Sequence, residues 1–268
     1  MHRARARADV PAGGRAGRSQ PAVQLRDRYV VAKGLRECEL LASGAALATN
    51  SAVREAHDFL PFVLRHLPPP PARVLEVGCG DEGGLVPELA GRGYDMVGVD
   101  PRAPAGDRYL RSEFQDVGAA LTSERWDAIV AARVLHHVDP LDDGVVLLAQ
   151  LAPLLLVDEF APDLIVDVAQ RWYEERRSAA GDVRAPERVD DWRRRHPHLH
   201  PHDVVLGALR RCYVERELKW VPYFHRWLGS PAVQAEEQLA IAARDIPAIG
   251  WRWAGARSAE DAAGQKVS

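Results

Sequence analysis

Cysteine is scarce in this chain: three residues in 268, Cys38, Cys79 and Cys212. They are far apart and form no CxxC, so neither a disulfide framework nor a thiolate metal site is expected. A reduced, cytoplasmic protein is the simplest reading. Long apolar runs are missing as well. No uninterrupted stretch approaches the ~20 residues of a membrane-spanning helix, so no membrane partner is expected. Charge of one sign is not in excess. The formal net charge is −3, which supplies no global attraction to nucleic acid. No internal repeat is visible.

What is present suits one α/β domain with insertions. Hydrophobic residues make up 47% and charged residues 27%, an ordinary balance. The first twenty residues hold five arginines and one acid without apolar periodicity, which predicts a disordered basic tail over 1–21. No apolar stretch follows these charges, so a signal peptide is not expected.

The most informative stretch is Arg73-Val-Leu-Glu-Val-Gly-Cys-Gly-Asp-Glu-Gly-Gly84, followed by Met96-Val-Gly-Val-Asp100. An apolar run, a glycine turn, a helix, a second apolar run and an acid make the layout of a nucleotide-binding βαβ unit. Glycines let backbone N–H groups approach an anionic group at a helix N-terminus. The acid accepts hydrogen bonds from ribose hydroxyls. Gly78-x-Gly80-x-x-Gly83 satisfies the dinucleotide fingerprint, but Glu76 would repel a pyrophosphate and would suit a cationic amino group. A ligand with an amino group, a carboxylate and a ribose fits better, namely S-adenosylmethionine.

On these residues the chain resembles the class I S-adenosylmethionine-dependent methyltransferases. Val74-Leu-Glu-Val-Gly-Cys-Gly80 is similar to their first motif, and Gly98-Val-Asp100 to their ribose-binding second strand. Trp126-Asp-Ala-Ile-Val-Ala-Ala-Arg-Val-Leu-His-His-Val138 is similar to their fourth strand and the segment after it. The resemblance covers roughly residues 50–160. It implies a Rossmann-like, doubly wound, mostly parallel seven-stranded sheet and S-adenosylmethionine as cofactor. Two departures stand out. The third loop glycine often found at the position of Glu82 is replaced by Gly83 and Gly84. The long loop usual before the fifth strand looks deleted, since Ala149-Gln-Leu-Ala-Pro-Leu-Leu-Leu-Val157 has only Pro153 to separate helix from strand, which puts the packing of that strand in question.

Four regions are expected: the tail, N-terminal helices over 22–71, a cofactor-binding core over 72–160, and an extension over 161–268 that completes the sheet and covers the substrate pocket. Helices are predicted over 22–48 and 51–66, the second carrying apolar residues at three- and four-residue intervals and interrupted by Pro61. Strands are predicted at 73–77, 95–99, 110–114, 126–132 and 154–159, and helices at 84–91, 118–123 and 141–152. In the extension, helices are predicted at 162–179, 202–211, 223–229 and 231–244, with strands in Cys212 to Val221 and Gly250 to Ala254.

The expected cofactor contacts are Gly78 and Gly80 beneath the methionine part, Glu76 at the amino group, Asp100 at the ribose, and Asp116 with the Val117 N–H at the adenine. Each acid has a second reading: Glu76 bracing the loop through backbone N–H groups, Asp100 and Asp116 as helix N-caps. Arg133, His136 and His137 follow the fourth strand, where the resemblance places the transferred methyl. A histidine there is able to take a proton from an acceptor, or simply packs and begins the next helix. Alternation sends Asp158 and Glu159 to opposite sides, so one of them faces the crevice. His137 and Glu159 are the expected catalytic pair, with aromatics after Trp172 walling the acceptor. His196-Pro-His-Leu-His-Pro-His202 lacks zinc-site spacing, so no metal is expected. Nothing resembles an Asn-Pro-Pro-Tyr motif, which favours a small-molecule acceptor. An NAD-dependent oxidoreductase and a non-catalytic protein keeping the fold are the competing readings.

Overall fold

The computed structural model describes residues 58–180 and 188–258. The expected basic tail and the helix over 22–48 lie outside the described residues. Helix α1 covers 58–66. Pro61 does not split it and faces outward, while Phe59, Leu60, Phe62, Val63 and Leu67 are buried. The alternating core follows: β1 (Arg73–Val77), α2 (Val86–Gly91), β2 (Asp95–Val99), β3 (Tyr109–Leu110), α3 (Gly118–Leu121), β4 (Ala128–Ala132), α4 (Leu141–Leu151) and β5 (Leu154–Phe160). The extension adds α5 (Asp167–Ala180), α6 (Val189–Arg195), α7 (His202–Cys212), β6 (Val214–Val221), α8 (Phe224–Leu228), α9 (Pro231–Ala243) and β7 (Gly250–Ala256).

The seven strands run in the order β3-β2-β1-β4-β5-β7-β6. All pairs are parallel except those of β7, which is antiparallel to both β5 and β6. The order reverses at β1, which pairs with β2 on one side and β4 on the other. In such sheets the ligand crevice lies beyond the strand C-termini at that switch point. The third strand is shorter than expected and sits earlier, at Tyr109–Leu110 rather than 110–114.

Period-two alternation sorts the strands into two cores. Leu75, Val77, Ile129, Ala131, Leu155 and Val157 belong to the cluster with α4 and α7. Val74, Ala128, Val130, Leu154 and Leu156 belong to the cluster with α1 and α2. Nearly continuous apolar runs are required because both faces of a parallel sheet are covered. The shortened connection before β5 does no harm. Two residues, Ala152 and Pro153, separate α4 from β5, and all seven residues of β5 are buried and paired with β7, four of them, Leu155 to Asp158, also with β4. A third cluster joins Phe160 to Tyr173, Tyr223, Phe224 and Ile249 within the extension. No helix among the described residues is long and apolar enough to cross a membrane.

Candidate active site

The glycine loop leaves β1 at the switch point. Gly78 N–H reaches Val99 O at 2.9 Å, and Gly80 N–H reaches Asp100 Oδ2 at 3.1 Å. Gly84 adopts φ +58°, and a Cβ there would strike the Glu76 carboxylate, so only glycine fits on both counts. Gly80 has φ +67° with nothing within 4 Å of where a Cβ would stand, leaving open space above the loop.

Glu76 is buried and accepts Leu85 N–H on both oxygens, at 3.0 and 2.8 Å. It therefore braces the loop, one of the two roles its position offered, and it also lines the cavity described below. Burial pushes its carboxyl up to about 7, against the Leu85 and Val86 N–H groups and Arg133, which favour the charged form. Asp100 accepts from Gly80 and, at 2.7 Å, from Arg102 N–H. A turn follows it rather than a helix, so the N-cap alternative is not realised. Cys79 is buried and its thiol is pushed up to about 12, which makes it unreactive.

Asp116 and Val117 are not among the residues that line the cavity described below. Asp116 is exposed, Val117 packs in the core, and α3 has no side-chain cap. Glu113, three residues earlier, lines the cavity instead.

Beyond β4, residues Leu135–His137 form one 3₁₀ turn of their own, separate from α4. Glu159, 1% exposed, stands behind this turn. It accepts Leu135 N–H at 2.6 Å on Oε1 and meets His136 Nδ1 at 2.6 Å on Oε2. Its carboxylate does not line the cavity, so the expectation that Glu159 faces the acceptor is corrected. Alternation puts it on the α4 side of β5, and its neighbour Asp158 takes the cavity side. Asp158 is bound by Arg226 at 2.5 and 3.1 Å and by Arg252 at 3.0 Å. These guanidinium groups hold its carboxyl below the usual range against the cost of burial.

His137 opens onto the cavity with its ring 4.0 Å from that of His136. Burial by the surrounding walls, then the neighbouring His136, push its imidazole down to about 4, with Glu159 opposing. Phe160, Trp192, Tyr223 and Trp227 form an aromatic wall, with Phe160 and Tyr223 stacked at 4.8 Å. The histidines of 196–202 do not converge. His196 Nδ1 meets Trp192 O, His200 Nε2 meets Val138 O, and His202 Nδ1 meets Asp163. Asp163, His202 and Asp203 bring possible ligand atoms within 4.8 Å of one another, but none of the three lines the cavity.

One cavity of about 630 Å³ joins these parts, a size ordinary for a small-molecule or cofactor site. One end is the glycine loop with Glu76 and Asp100. The other holds His136, His137, Asp158 and the aromatic wall. Sequence spacing alone missed Phe59 from α1, the pairing of Asp158 with two distant arginines, and the pairing of His136 with Glu159.

Fold and site together define a Rossmann-like α/β enzyme with a nucleotide-type cofactor crevice. Residues 50–221, well over half of the chain, match the family described as a methyltransferase domain, and the chain belongs to that family. It is an S-adenosylmethionine-dependent methyltransferase, which sets aside the oxidoreductase and non-catalytic readings. No curated protein matches the chain. Among solved structures it is similar to an S-adenosylmethionine-dependent methyltransferase from Mesorhizobium loti, at 17% identity over 74% of this chain and 97% of that one, TM-score 0.47. It is also similar to a magnesium protoporphyrin IX methyltransferase from Synechocystis with bound SAH, at 13% identity over 83% and 90%, TM-score 0.45. A third, a SAM-dependent methyltransferase from Archaeoglobus fulgidus, has 12% identity over 77% and 94%, TM-score 0.48.

Proposed function

We propose that this enzyme methylates a small molecule held in the same cavity as its cofactor. The observation that carries the reading is the two-ended cavity: a glycine loop with two carboxylates at one end, an aromatic wall with imidazoles at the other. The residues fit the cofactor. Gly80 leaves the space above the loop clear, Glu76 offers a carboxylate for an ammonium group, and Asp100 offers acceptors for a ribose. S-adenosylmethionine supplies an already activated methyl on a sulfonium, so the protein's part is alignment and exclusion of water.

The extension supports the small-molecule reading. Trp192, Tyr223 and Trp227 come from α6, the residue before α8, and α8, and all three line the cavity. Their rings pack against Phe160 at the end of β5. Elements α6 and α8 of the extension thus cover the acceptor end, where His137 also stands. Pockets for small molecules are mostly apolar with a few converging polar groups, and this end has that composition.

S-adenosylhomocysteine, the demethylated product, should raise the melting temperature by mass action, by about 2.7 kcal/mol of stability at a hundred times its Kd. NAD should not. Saturating S-adenosylhomocysteine with neither a shift nor calorimetric heat would overturn the assignment of the crevice.

A further inference from the structure

Glu159 and His136 form a buried pair that neither loop bracing nor cofactor binding uses. Glu159 is sealed, and each of its oxygens has one partner: Leu135 N–H on one, His136 Nδ1 on the other. An ionised carboxylate only accepts hydrogen bonds, so the ring proton belongs on Nδ1 and the lone pair on Nε2. The ring is fixed by more than this bond. Phe160 meets it edge-on at 4.8 Å, and His200 N–H holds the His136 carbonyl at 3.0 Å. Nε2 has no hydrogen-bond partner among the described residues, yet it is not among the sealed, unpartnered atoms. It therefore opens where the ring lines the cavity. A carboxylate that sets an imidazole's tautomer and presents its second nitrogen to a reacting group is the arrangement of a general base with its orienting partner.

His137 lacks these features. No hydrogen bond to its ring exists among the described residues, and its ring neighbours are the imidazoles of His136 and His196. Asp158 is not a competing base, because Arg226 and Arg252 occupy it.

We infer that His136, oriented by Glu159, is the catalytic base toward the methyl acceptor, and that the acceptor is a flat apolar molecule carrying an O–H or N–H, of the phenol, enol or aryl-amine kind. The inference rests on the methyl-transfer reading above. In the step it implies, the acceptor's X–H proton passes to Nε2 and the bonding pair stays on X. X forms the new bond to the methyl carbon as the S–CH₃ bond breaks, its electron pair returning to sulfur. Glu159 faces the imidazolium that results. The flat, apolar body follows from Phe160, Tyr223 and Trp227, whose rings stand 4.8–5.8 Å apart beside the base.

Two readouts test this without a known acceptor. The first is the ring-nitrogen spectrum of ¹⁵N-histidine-labelled full-length protein with S-adenosylhomocysteine at pH 7.5. His136 should be the Nδ1–H tautomer, and Glu159→Gln should convert it to Nε2–H, since the Gln amide donates to Nδ1. Wild-type His136 found as Nε2–H overturns the inference. The second is binding of 2-naphthol and 2-methoxynaphthalene to the same complex, read by tryptophan fluorescence. The wild type should prefer 2-naphthol at least tenfold, and His136→Ala and His136→Gln should erase the preference with S-adenosylhomocysteine affinity unchanged. Equal binding of the two probes by the wild type, or a preference that survives in both variants, overturns it. The wild-type measurements stand even if a variant fails to fold. Failure of the wild type to bind S-adenosylhomocysteine would instead strike the earlier reading.

Discussion

Asp100 serves two ends with one carboxylate. Its Oδ2 takes the Gly80 N–H and its Oδ1 the Arg102 N–H, so it ties the glycine loop to the turn after β2 while lining the cavity. A charge-assisted acceptor of this kind contributes roughly 1.5–3 kcal/mol. Asp100→Ala should therefore weaken S-adenosylhomocysteine binding about tenfold or more, measured by calorimetry, while the far-UV circular dichroism stays native. An unchanged Kd would confine Asp100 to shaping the turn. This residue was legible in the sequence because its signal is local: an acid at the end of a second apolar run, twenty positions after the loop. Asp116 was read from the same kind of local cue and lies exposed. The cue gave no measure of where β3 ends, and Glu113 holds the place at the cavity.

At the scale of the element, β5 shows what periodicity delivers and where it stops. Alternation required that Asp158 and Glu159 part company, and they do. What neutralises the buried carboxylate on the crevice side lies far away in the chain, in Arg226 and Arg252, 68 and 94 residues on. No spacing rule reaches that far. In the extension, α7, α8, α9, β6 and β7 fall close to their predicted bounds, whereas α5 starts five residues later than expected and α6, which carries Trp192, was not expected, because its charged sequence shows no apolar pattern. The arginine partnership has a measurable consequence. Arg226 has a side chain 2% exposed and Arg252 one 12% exposed. Asp158→Asn leaves two largely buried cations short of their counter-ion, a loss that typically costs about 3–5 kcal/mol. The melting temperature should fall by on the order of 10 °C for a chain of this size. A fall under about 2 °C would mean that other groups neutralise the arginines.

At the scale of the whole molecule, Glu76 and His137 oppose each other across one pH window. Glu76 has a folded pKa of about 7, above its ordinary 4.5. Its contribution to stability is complete below the ordinary value and is lost as pH rises through about 7. His137 has a folded pKa of about 4, below its ordinary 6.5. The unfolded chain then binds the extra proton, and stability is lost as pH falls from about 6.5 to 4. The histidine is exposed to the cavity, so solvent screens its share. Glu76→Gln isolates the carboxylate, since subtracting the two stability curves cancels His137 and every other group the two proteins share. The variant should gain on the wild type by up to about 3 kcal/mol between pH 4.5 and 8, as read from urea unfolding at several pH values. Binding should show the opposite trend. If the cofactor's ammonium sits against Glu76, it draws the carboxyl back toward its ordinary range, so S-adenosylhomocysteine binding near pH 6.5 expels a proton and tightens as pH rises. Calorimetry in two buffers of different ionisation enthalpy measures that proton directly. The wild type should release a fraction of one, and Glu76→Gln should release none while binding more weakly. Equal proton release by both proteins would detach Glu76 from the ligand and leave it only the loop to brace.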